Sequence, residues 1–529
     1  MSADAVGEVA AADLTELNRA LEIAYPPLAE SIAAFGVKPD NISTPTEALQ
    51  ILRDGLERNG ENPGLRLIIG LALLRFRAFA AAGAQFKTIL AGHPTHLPAF
   101  RGLAIALIGE GRLAEAVRAH AAVLNGLPGD LLARNSLLRL LKTCPLTDEQ
   151  MLGAYKACMN QFLGSHPELG PALSPVTALE EWCHANGVPR TALDPQLDVA
   201  FGSGGVTYRA DATSSFEIRG AEIVAGWDFV ITPDGQVLDG SGYLPISVEL
   251  NAMPHLLNST SPRAVYSATP NVIEIPGRTL FLSGPTVFNV GHWISDFLPR
   301  LRALKPEDAG HVRLAMPGPV PRRYSEFLDR CSDGASVMEC KFGQRYRFES
   351  LIVMDHFDHN RPQPAAVKFL QSRLADINSQ RDRRMPGRRL YLRRSEKALG
   401  RRVINDTELR ALLREARFEI VSLSDLSVAE QSAMFAMADI VIASWGADMA
   451  AMFQMPRGCD LIVLVPTDDG HVRADDQLER YAAILNMRLQ YYPGLAVGPR
   501  RNNVIFQDMR VDCEGLQEII NKVILQRES

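Results

Sequence analysis

The sequence predicts an α/β protein in which an all-α region of helical repeats precedes two Rossmann-like halves. Residues 13–160 are rich in alanine and leucine at helical spacing. A 34-residue internal period lies inside that stretch. After residue 201, short apolar runs alternate with helical patterns. The length of 529 residues fits about three domains, and 47% hydrophobic residues exclude a largely disordered chain.

The internal repeat is clearest between residues 75 and 128. Aligning Arg75–Pro94 with Gly109–Pro128 superposes small residues and a proline that ends the second helix of each unit. The superposed pairs are Ala80 and Ala114, Ala82 and Ala116, Leu90 and Leu124, Gly92 and Gly126, and Pro94 and Pro128. This period resembles tetratricopeptide repeats, and an ordinary helical bundle is the alternative. We assign the repeats to a domain at residues 1–165.

The remaining chain divides into a linker and two halves. Closely spaced prolines predict a linker at residues 166–204. Residues 205–384 combine hairpin-like strands with buried strands and helices, so they predict a first Rossmann-like half. Residues 385–529 alternate strand and helix strictly, which is typical of a doubly wound parallel sheet. A cleft between the halves is expected to hold the functional site.

Charge and cysteine usage exclude several classes of protein. The net charge of −6 predicts no general affinity for nucleic acid or for an anionic membrane. The seven cysteines are scattered, which predicts neither a zinc knuckle nor a disulfide framework and favours a reducing compartment. Residues 1–13 do not have the pattern of a targeting peptide, and no apolar run is long enough to span a membrane. We therefore expect a cytoplasmic protein.

The segment Asn289–Arg300 concentrates chemically useful side chains. On a regular helix His292, Asp296 and Arg300 share one face, since they recur every four residues. A carboxylate beside an imidazole can act as a general base, and Trp293 can stack on a sugar ring or a nucleobase. The alternative interpretation is a capped helix with a packed tryptophan and an ion pair.

A second candidate region is rich in arginine. Residues 381–402 contain nine arginines, at positions 381, 383, 384, 388, 389, 393, 394, 401 and 402. Arg393 and Arg394 directly follow the predicted strand ending at Leu392, where ligands of open α/β sheets bind. Their planar guanidinium groups match phosphate oxygens, so they predict a diphosphate site. The arginines from Arg381 to Arg389 fit a solvated basic linker.

A third candidate region is the turn after the predicted strand Ile440–Ala443. Trp445, Gly446 and Ala447 form a strand-to-helix turn whose backbone N–H groups attract phosphate.

Six fragments, in this order, resemble the family 61 glycosyltransferases over roughly residues 205–495. They are Asn289-x-x-His292-Trp293-x-x-Asp296-x-Leu298-Pro299-Arg300, Tyr391-Leu392-Arg393-Arg394, Arg402-Val403-x-Asn405, Leu426-Ser427-x-x-Glu430-Gln431, Ala438-Asp439-Ile440-Val441 and Gly446-Ala447. The resemblance implies a GT-B-like enzyme with two Rossmann-like domains, a nucleotide-sugar donor, inversion at the anomeric carbon, and no required metal or other cofactor.

The resemblance also implies roles for individual residues. Asp296 and His292 are the catalytic candidates, with Asp296 as the acceptor base. Arg394 and Arg402 would neutralise the leaving diphosphate, while Glu430 and the Gly446-Ala447 turn would contact the donor. No Asp-x-Asp motif is present, and we interpret the run Asp355–His359 as a polar strand end rather than a metal site.

The expected acceptor is a polysaccharide or protein hydroxyl, and the repeats would recruit a protein partner or a second copy of the chain. Three positions depart from the family pattern, because Trp445, Ala451 and the strand Leu461–Leu464 are apolar where members carry polar residues. The alternative function is therefore a degenerate transferase domain that serves as a sugar-binding or scaffold module.

Overall fold

The computed structural model describes residues 42–528 except 60, 202–205, 227–228, 240–255, 259–262, 285–286, 309, 356–359, 376–386, 395–399, 472–475 and 499–503. The chain forms two compact units. The first comprises residues 1–177, 234–237 and 245–272, and the second comprises residues 178–233, 238–244 and 273–529. The predicted helical pattern at residues 13–41 lies outside the described residues. No helix in the described ranges is both long and apolar enough to cross a membrane.

The first unit is a helical array with a regular period. Its described helices are α1 (Pro45–Asn59), α2 (Pro63–Arg75), α3 (Phe79–Gly92), α4 (Leu97–Gly109), α5 (Leu113–Gly126), α6 (Leu131–Thr143), α7 (Asp148–Cys158) and α8 (Asn160–Ser165). Helices α2, α4 and α6 begin at residues 63, 97 and 131, and α3 and α5 begin at 79 and 113. Each of these steps is 34 residues, which confirms the predicted tetratricopeptide-like repeat.

Small residues allow the helices of the array to pack closely. The fully buried ring of Phe86 in α3 lies against Gly70 of α2 and Gly102 of α4. A Cβ added at Gly70 or Gly102 would come within 2.6 and 2.4 Å of that ring. Side-chain caps fix the starts of α2, α4, α6 and α7, and on α7 Thr147 and Gln150 form a reciprocal capping box.

A small antiparallel sheet completes the first unit. Strand β1 (Gly170–Ala178) pairs with β10 (Arg263–Ala268), which pairs with β9 (Leu256–Asn258). The hydroxyls of Tyr155 and Ser267 are 2.7 Å apart and join helix α7 to this sheet.

Residues 166–204, predicted as a linker, contain regular structure. Besides β1 they form α9 (Leu179–Ala185), β2 (Arg190–Asp194) and β3 (Leu197–Phe201). Pro189 and Pro195 lie between elements, whereas Pro171 and Pro175 lie within β1. The domain boundaries proposed from sequence stay a prediction.

The first sheet of the second unit is mixed. It uses β2 with β5 (Thr213–Ile218), β6 (Glu222–Val224), β7 (Val230–Ile231), β8 (Val237–Asp239), β11 (Val272–Phe281), β12 (Arg313–Pro317), β13 (Ser336–Cys340) and β14 (Arg345–Met354). Strands β11, β12 and β13 are parallel, whereas β14 runs antiparallel to β5 and β6. Helices α10 (Arg322–Cys331) and α11 (Pro364–Leu374) flank the sheet, and β3 forms a separate hairpin with β4 (Val206–Ala210).

The second sheet is doubly wound, as predicted. Its strands are β15 (Arg388–Leu392), β16 (Phe418–Val421), β17 (Ala438–Ser444), β18 (Asp460–Thr467), β19 (Arg488–Val497) and β20 (Asp508–Val511), and its helices are α12 (Asp406–Glu415), α13 (Val428–Ala436), α14 (Asp476–Leu485) and α15 (Cys513–Glu528). The spatial order is β16-β15-β17-β18-β19-β20, parallel except for β20. All eight residues of β18 are buried, as in a central parallel strand covered on both faces.

One hydrophobic core joins the two sheets of the second unit. It includes Leu314 and Leu370 from the first sheet and its helices, and Leu390, Val441 and Phe453 from the second. The two halves are therefore packed against each other through buried side chains. The α/β fold class with a preceding helical array is confirmed.

Candidate functional site

The candidate site lies where the order of the second sheet reverses. The chain leaves β15 toward β16 on one side, and β17 then pairs on the other side of β15. Such a switch point leaves a crevice beyond the carboxyl ends of the two strands, where open α/β sheets bind ligands. Arg393 and Arg394 follow β15 there, and Trp445 and Gly446 follow β17. The topology thus brings together two of the three predicted regions.

The third region is a helical segment that changes geometry along its length. It is α-helical over Val290–His292, π-helical over Trp293–Phe297 and 3-10 over Leu298–Ala303. Asn289 caps its start by accepting the N–H of Gly291 at 3.0 Å. Single π-helical turns occur often at functional sites. We call this segment the 290–303 helix.

His292 and Asp296 form the expected pair on the 290–303 helix. Nδ1 of His292 lies 2.8 Å from Oδ2 of Asp296, and the hydroxyl of Ser295 donates to Oδ1 of the same carboxylate. The Asp296 side chain is 0% exposed, whereas that of His292 is 30% exposed. The imidazole can therefore meet a ligand, and the carboxylate is positioned to orient the imidazole.

Trp293 and Arg300 are directed into the protein. Trp293 is fully buried against Phe297 and Tyr324. Arg300 donates to the carbonyl of Ser283 at 3.3 Å, and its Cζ lies 4.8 Å from the Phe297 ring. The four-residue spacing no longer keeps Arg300 on the face of His292, because the π and 3-10 turns change the number of residues per turn. Neither side chain lines the cavity described below.

Two guanidinium groups meet beside Gly446. A Cβ at this position would lie 2.6 Å from Nη1 of Arg394 and 3.0 Å from Nη1 of Arg401. Gly446 also has φ +152°, a conformation that side chains disfavour. The backbone thus favours glycine here, and a side chain would displace the two guanidinium groups.

Neither Arg394 nor Arg401 has a carboxylate partner among the residues that the structure describes. Arg394 donates through Nε to the carbonyl of Gly400 at 3.0 Å, and Arg401 donates through Nε to that of Ile505 at 3.1 Å. Burial, followed by the nearby charge of Arg394, lowers the pKa of Arg401 to about 10. Arg401 therefore stays charged at neutral pH, and the repulsion between the two guanidinium groups favours binding of an anion between them.

A cavity of about 270 Å³ lies beside His292, Arg401 and Gly446. Its polar lining includes His292, Ser295, Arg401 and Gly446. Its apolar wall includes Met449, Ala450, Met452, Phe453 and Leu478. Two methionines that follow Gly446, Met449 and Met452, therefore line the cavity.

Arg393 and Arg402 have carboxylate partners outside this cavity. Arg393 donates to Asp406 at 3.2 Å, and Arg402 pairs with Asp508 at 2.6 Å. Together with Arg394 and Arg410 they line a second cavity of about 380 Å³. Arg402 and Arg401 point to different partners although they are adjacent in sequence.

Asn405 and Glu430 make structural contacts. The amide of Asn405 donates to the carbonyl of Val511 at 2.8 Å and accepts its N–H at 3.0 Å, which ties α12 to edge strand β20. Glu430 forms a capping box with Ser427 on α13, and these hydrogen bonds hold the pKa of its carboxyl below the usual value. Neither residue lines the cavity that contains His292.

The sequence did not single out Arg401, Tyr481 or Phe506 as cavity residues. Arg401 lies within the arginine run, but sequence alone did not distinguish it from Arg402. Phe506 comes from the far end of the chain, and no motif marks it.

The predicted polar strand end at Asp355 is partly described. Asp355 accepts the N–H of Ser214 at 2.9 Å, and burial raises its pKa to about 7. His356 and the rest of the run to His359 lie outside the described residues. Within the described ranges there is no group of three or more side chains that could hold a metal ion.

Comparison with known proteins supports the resemblance for part of the chain. Residues 290–462 match the family model Glycosyltransferase 61. This stretch begins at the 290–303 helix and ends in β18, so it contains Arg394, Arg401 and Gly446. The predicted resemblance to family 61 glycosyltransferases is confirmed there.

No curated protein sequence matches the chain. One similar solved structure is a mutant of the O-GlcNAc transferase of Thermobaculum terrenum, with 12% sequence identity and a TM-score of 0.20. The match covers 90% of this chain, which spans 60% of the length of that transferase.

Proposed function

We propose that this protein transfers a sugar from a nucleotide-sugar donor to a hydroxyl of a glycan or protein acceptor. The observation that carries the proposal is the pair of guanidinium groups beside Gly446, of which Arg401 lines a cavity together with His292. Charge that is not balanced by carboxylates suits a diphosphate leaving group. The family match at residues 290–462 supports the same class of reaction.

In the proposed reaction His292, rather than Asp296, is the general base. Because Asp296 is fully buried, it cannot contact an acceptor, but it can hold the Nδ1–H tautomer of His292. Nε2 is then the atom that takes the proton from the acceptor hydroxyl. The hydroxyl oxygen forms a bond to the anomeric carbon while the bond from that carbon to the phosphate oxygen breaks. The bonding electrons leave with the diphosphate.

Arg394 and Arg401 would neutralise the negative charge that develops on the leaving diphosphate. Fixed cations next to a buried site stabilise such charge strongly, because they need no reorganisation during the reaction. This arrangement supports a transfer that requires no metal. The base and the cations act on opposite sides of the anomeric carbon in an inverting transfer, which is the outcome we propose.

We also propose that the helical array of the first unit binds the acceptor protein, a partner in polysaccharide assembly, or a second copy of the chain. Tetratricopeptide-like arrays present extended surfaces that suit such contacts. The cytoplasmic location and the GT-B arrangement remain part of this proposal.

The apolar wall favours one alternative. Met449 and Met452 face the cavity where a transferase is expected to offer polar contacts to a donor. A module that binds sugar without turning it over would fit this wall.

A panel of nucleotide sugars distinguishes the two functions. The purified full chain is incubated with UDP-, GDP-, dTDP- and CMP-linked sugars, and release of the nucleotide is measured with and without candidate acceptors. Calorimetry with the free nucleotides is run in parallel. Release that depends on His292 and Arg394 supports the transferase. If the protein binds glycans but neither releases nor binds nucleotides, the result supports the sugar-binding or scaffold module instead of the transferase.

A further inference from the structure

We propose that Trp445 and Phe506 are positioning residues, whose rings hold the Arg401 guanidinium in the orientation in which it binds the donor phosphate together with Arg394. This inference rests on the proposed function, because it concerns the same anion site. It adds Phe506, which lies outside the segment that matches the family model.

Arg401 is held between two aromatic rings. Its Cζ lies 4.4 Å from the centre of the Trp445 ring and 4.5 Å from that of Phe506. Both distances are well within the range of a favourable cation–π contact. With Nε bound to the carbonyl of Ile505, the guanidinium plane is fixed from three directions.

The backbone of Arg401 is also constrained. Its φ of +61° lies in the left-handed region, which is unfavourable for residues other than glycine. Its N–H donates to the carbonyl of Gln507 at 3.0 Å. The segment that carries Phe506 therefore holds both the backbone and the side chain of Arg401. Strained residues held in this way are concentrated at functional sites.

Aromatic partners differ from carboxylates in one respect that matters here. The neighbouring Arg393 and Arg402 are held by Asp406 and Asp508, which also neutralise their charge. Trp445 and Phe506 hold Arg401 without neutralising it. The Arg401 guanidinium group is thus preorganised and remains charged, so it loses little conformational entropy when it binds a phosphate.

The test measures binding of inorganic pyrophosphate, UDP, GDP and dTDP to the full chain by calorimetry. Pyrophosphate tests the anion site independently of the nucleobase that the donor carries. Phe506→Leu removes one of the two cation–π contacts and should weaken binding of the probe that wild type binds by about 3- to 30-fold. Phe506→Trp should keep the affinity within about twofold, because the stacking face is retained.

The matched control is Phe342→Leu, the same change at a phenylalanine of similar exposure outside the site. Phe506 is 44% exposed and Phe342 is 38% exposed, so neither change should unfold the protein. Thermal unfolding of each variant checks this. The control should bind the probes like wild type.

A double-mutant cycle with Arg401→Lys separates positioning from a general effect. Lysine keeps the charge but cannot stack as a plane, so Phe506→Leu should cost little more in that background. An equal loss in both backgrounds would overturn the inference. So would wild-type affinity in Phe506→Leu alongside a clear loss in Arg401→Ala, and the proposed function would then stand. If Arg394→Ala and Arg401→Ala both bind normally, or if wild type binds no probe, the proposed phosphate site fails and the inference fails with it.

Discussion

Asp296→Asn tests whether the buried carboxylate determines which ring nitrogen of His292, the proposed base, carries the proton. Asparagine has nearly the same size and can keep a hydrogen bond to His292. It can donate its amide N–H to Nδ1, and the imidazole proton then moves to Nε2. Nε2 can no longer take a proton from the acceptor. Because Asp296 is 0% exposed, water cannot replace the lost charge.

The expected loss in turnover is about two to four orders of magnitude, the usual contribution of general-base catalysis. This corresponds to about 3–5 kcal/mol in the activation free energy. Affinity for the nucleoside diphosphate should stay near that of wild type, since Arg394 and Arg401 are unchanged. Turnover is measured as nucleotide release at saturating donor, and affinity by calorimetry.

Asp425→Asn is the matched control, because Asp425 is an exposed carboxylate outside the cavity. It should retain full activity. Thermal unfolding of both variants shows whether a loss of activity reflects a loss of folded protein. Unchanged turnover in folded Asp296→Asn would refute the assignment of His292 as a base oriented by Asp296.

Three further predictions concern charge. Arg401→Ala should weaken nucleoside diphosphate binding about tenfold or more, whereas Arg402→Ala should not, because Asp508 already holds Arg402. Equal losses of affinity in the two variants, measured by calorimetry, would contradict this difference. Nucleotide release should survive EDTA, since arginines supply the positive charge, and loss of release that manganese or magnesium restores would contradict this. Burial raises the pKa of Asp355 to about 7, so the folded protein binds a proton here that the unfolded chain has lost above about pH 4. The resulting stabilisation is lost as pH rises through 7. Asp355→Asn should therefore unfold at a higher temperature than wild type at pH 8 but not at pH 4. Equal unfolding temperatures at pH 8 would show that Asp355 does not titrate in this way.

Periodic features of the chain were predictable from sequence. The 34-residue period predicted the helix starts of the array, and the strict alternation after Arg389 predicted the doubly wound sheet. Both patterns arise from local spacing of apolar residues, which sequence records directly. The first sheet of the second unit was predicted less well, since the antiparallel pairing of β14 with β5 joins residues more than a hundred positions apart.

The site was predictable in its regions but not in all of its residues. The His292 and Asp296 pair was found because both lie within one helical turn. The choice between Arg401 and Arg402 depended on a positive φ that turns one side chain into the cavity and the other toward Asp508. The sequence did not indicate that Trp293 and Arg300 lie away from the cavity, because the spacing argument assumes a regular α-helix and the π-helical turn has no sequence signal.

Substrate entry is constrained by the buried contacts between the two sheets of the second unit. Parting the sheets would expose side chains such as Leu298, Leu374 and Phe453, which are fully buried. Each such side chain costs about 1.5–3 kcal/mol to expose, so five of them approach the whole stability of a typical domain. The sheets should therefore not open and close as separate lobes during turnover. Ligands would reach the cavity through small movements of the segments at its rim, and amide hydrogens of β12 and β17 should exchange with solvent in the same cooperative event.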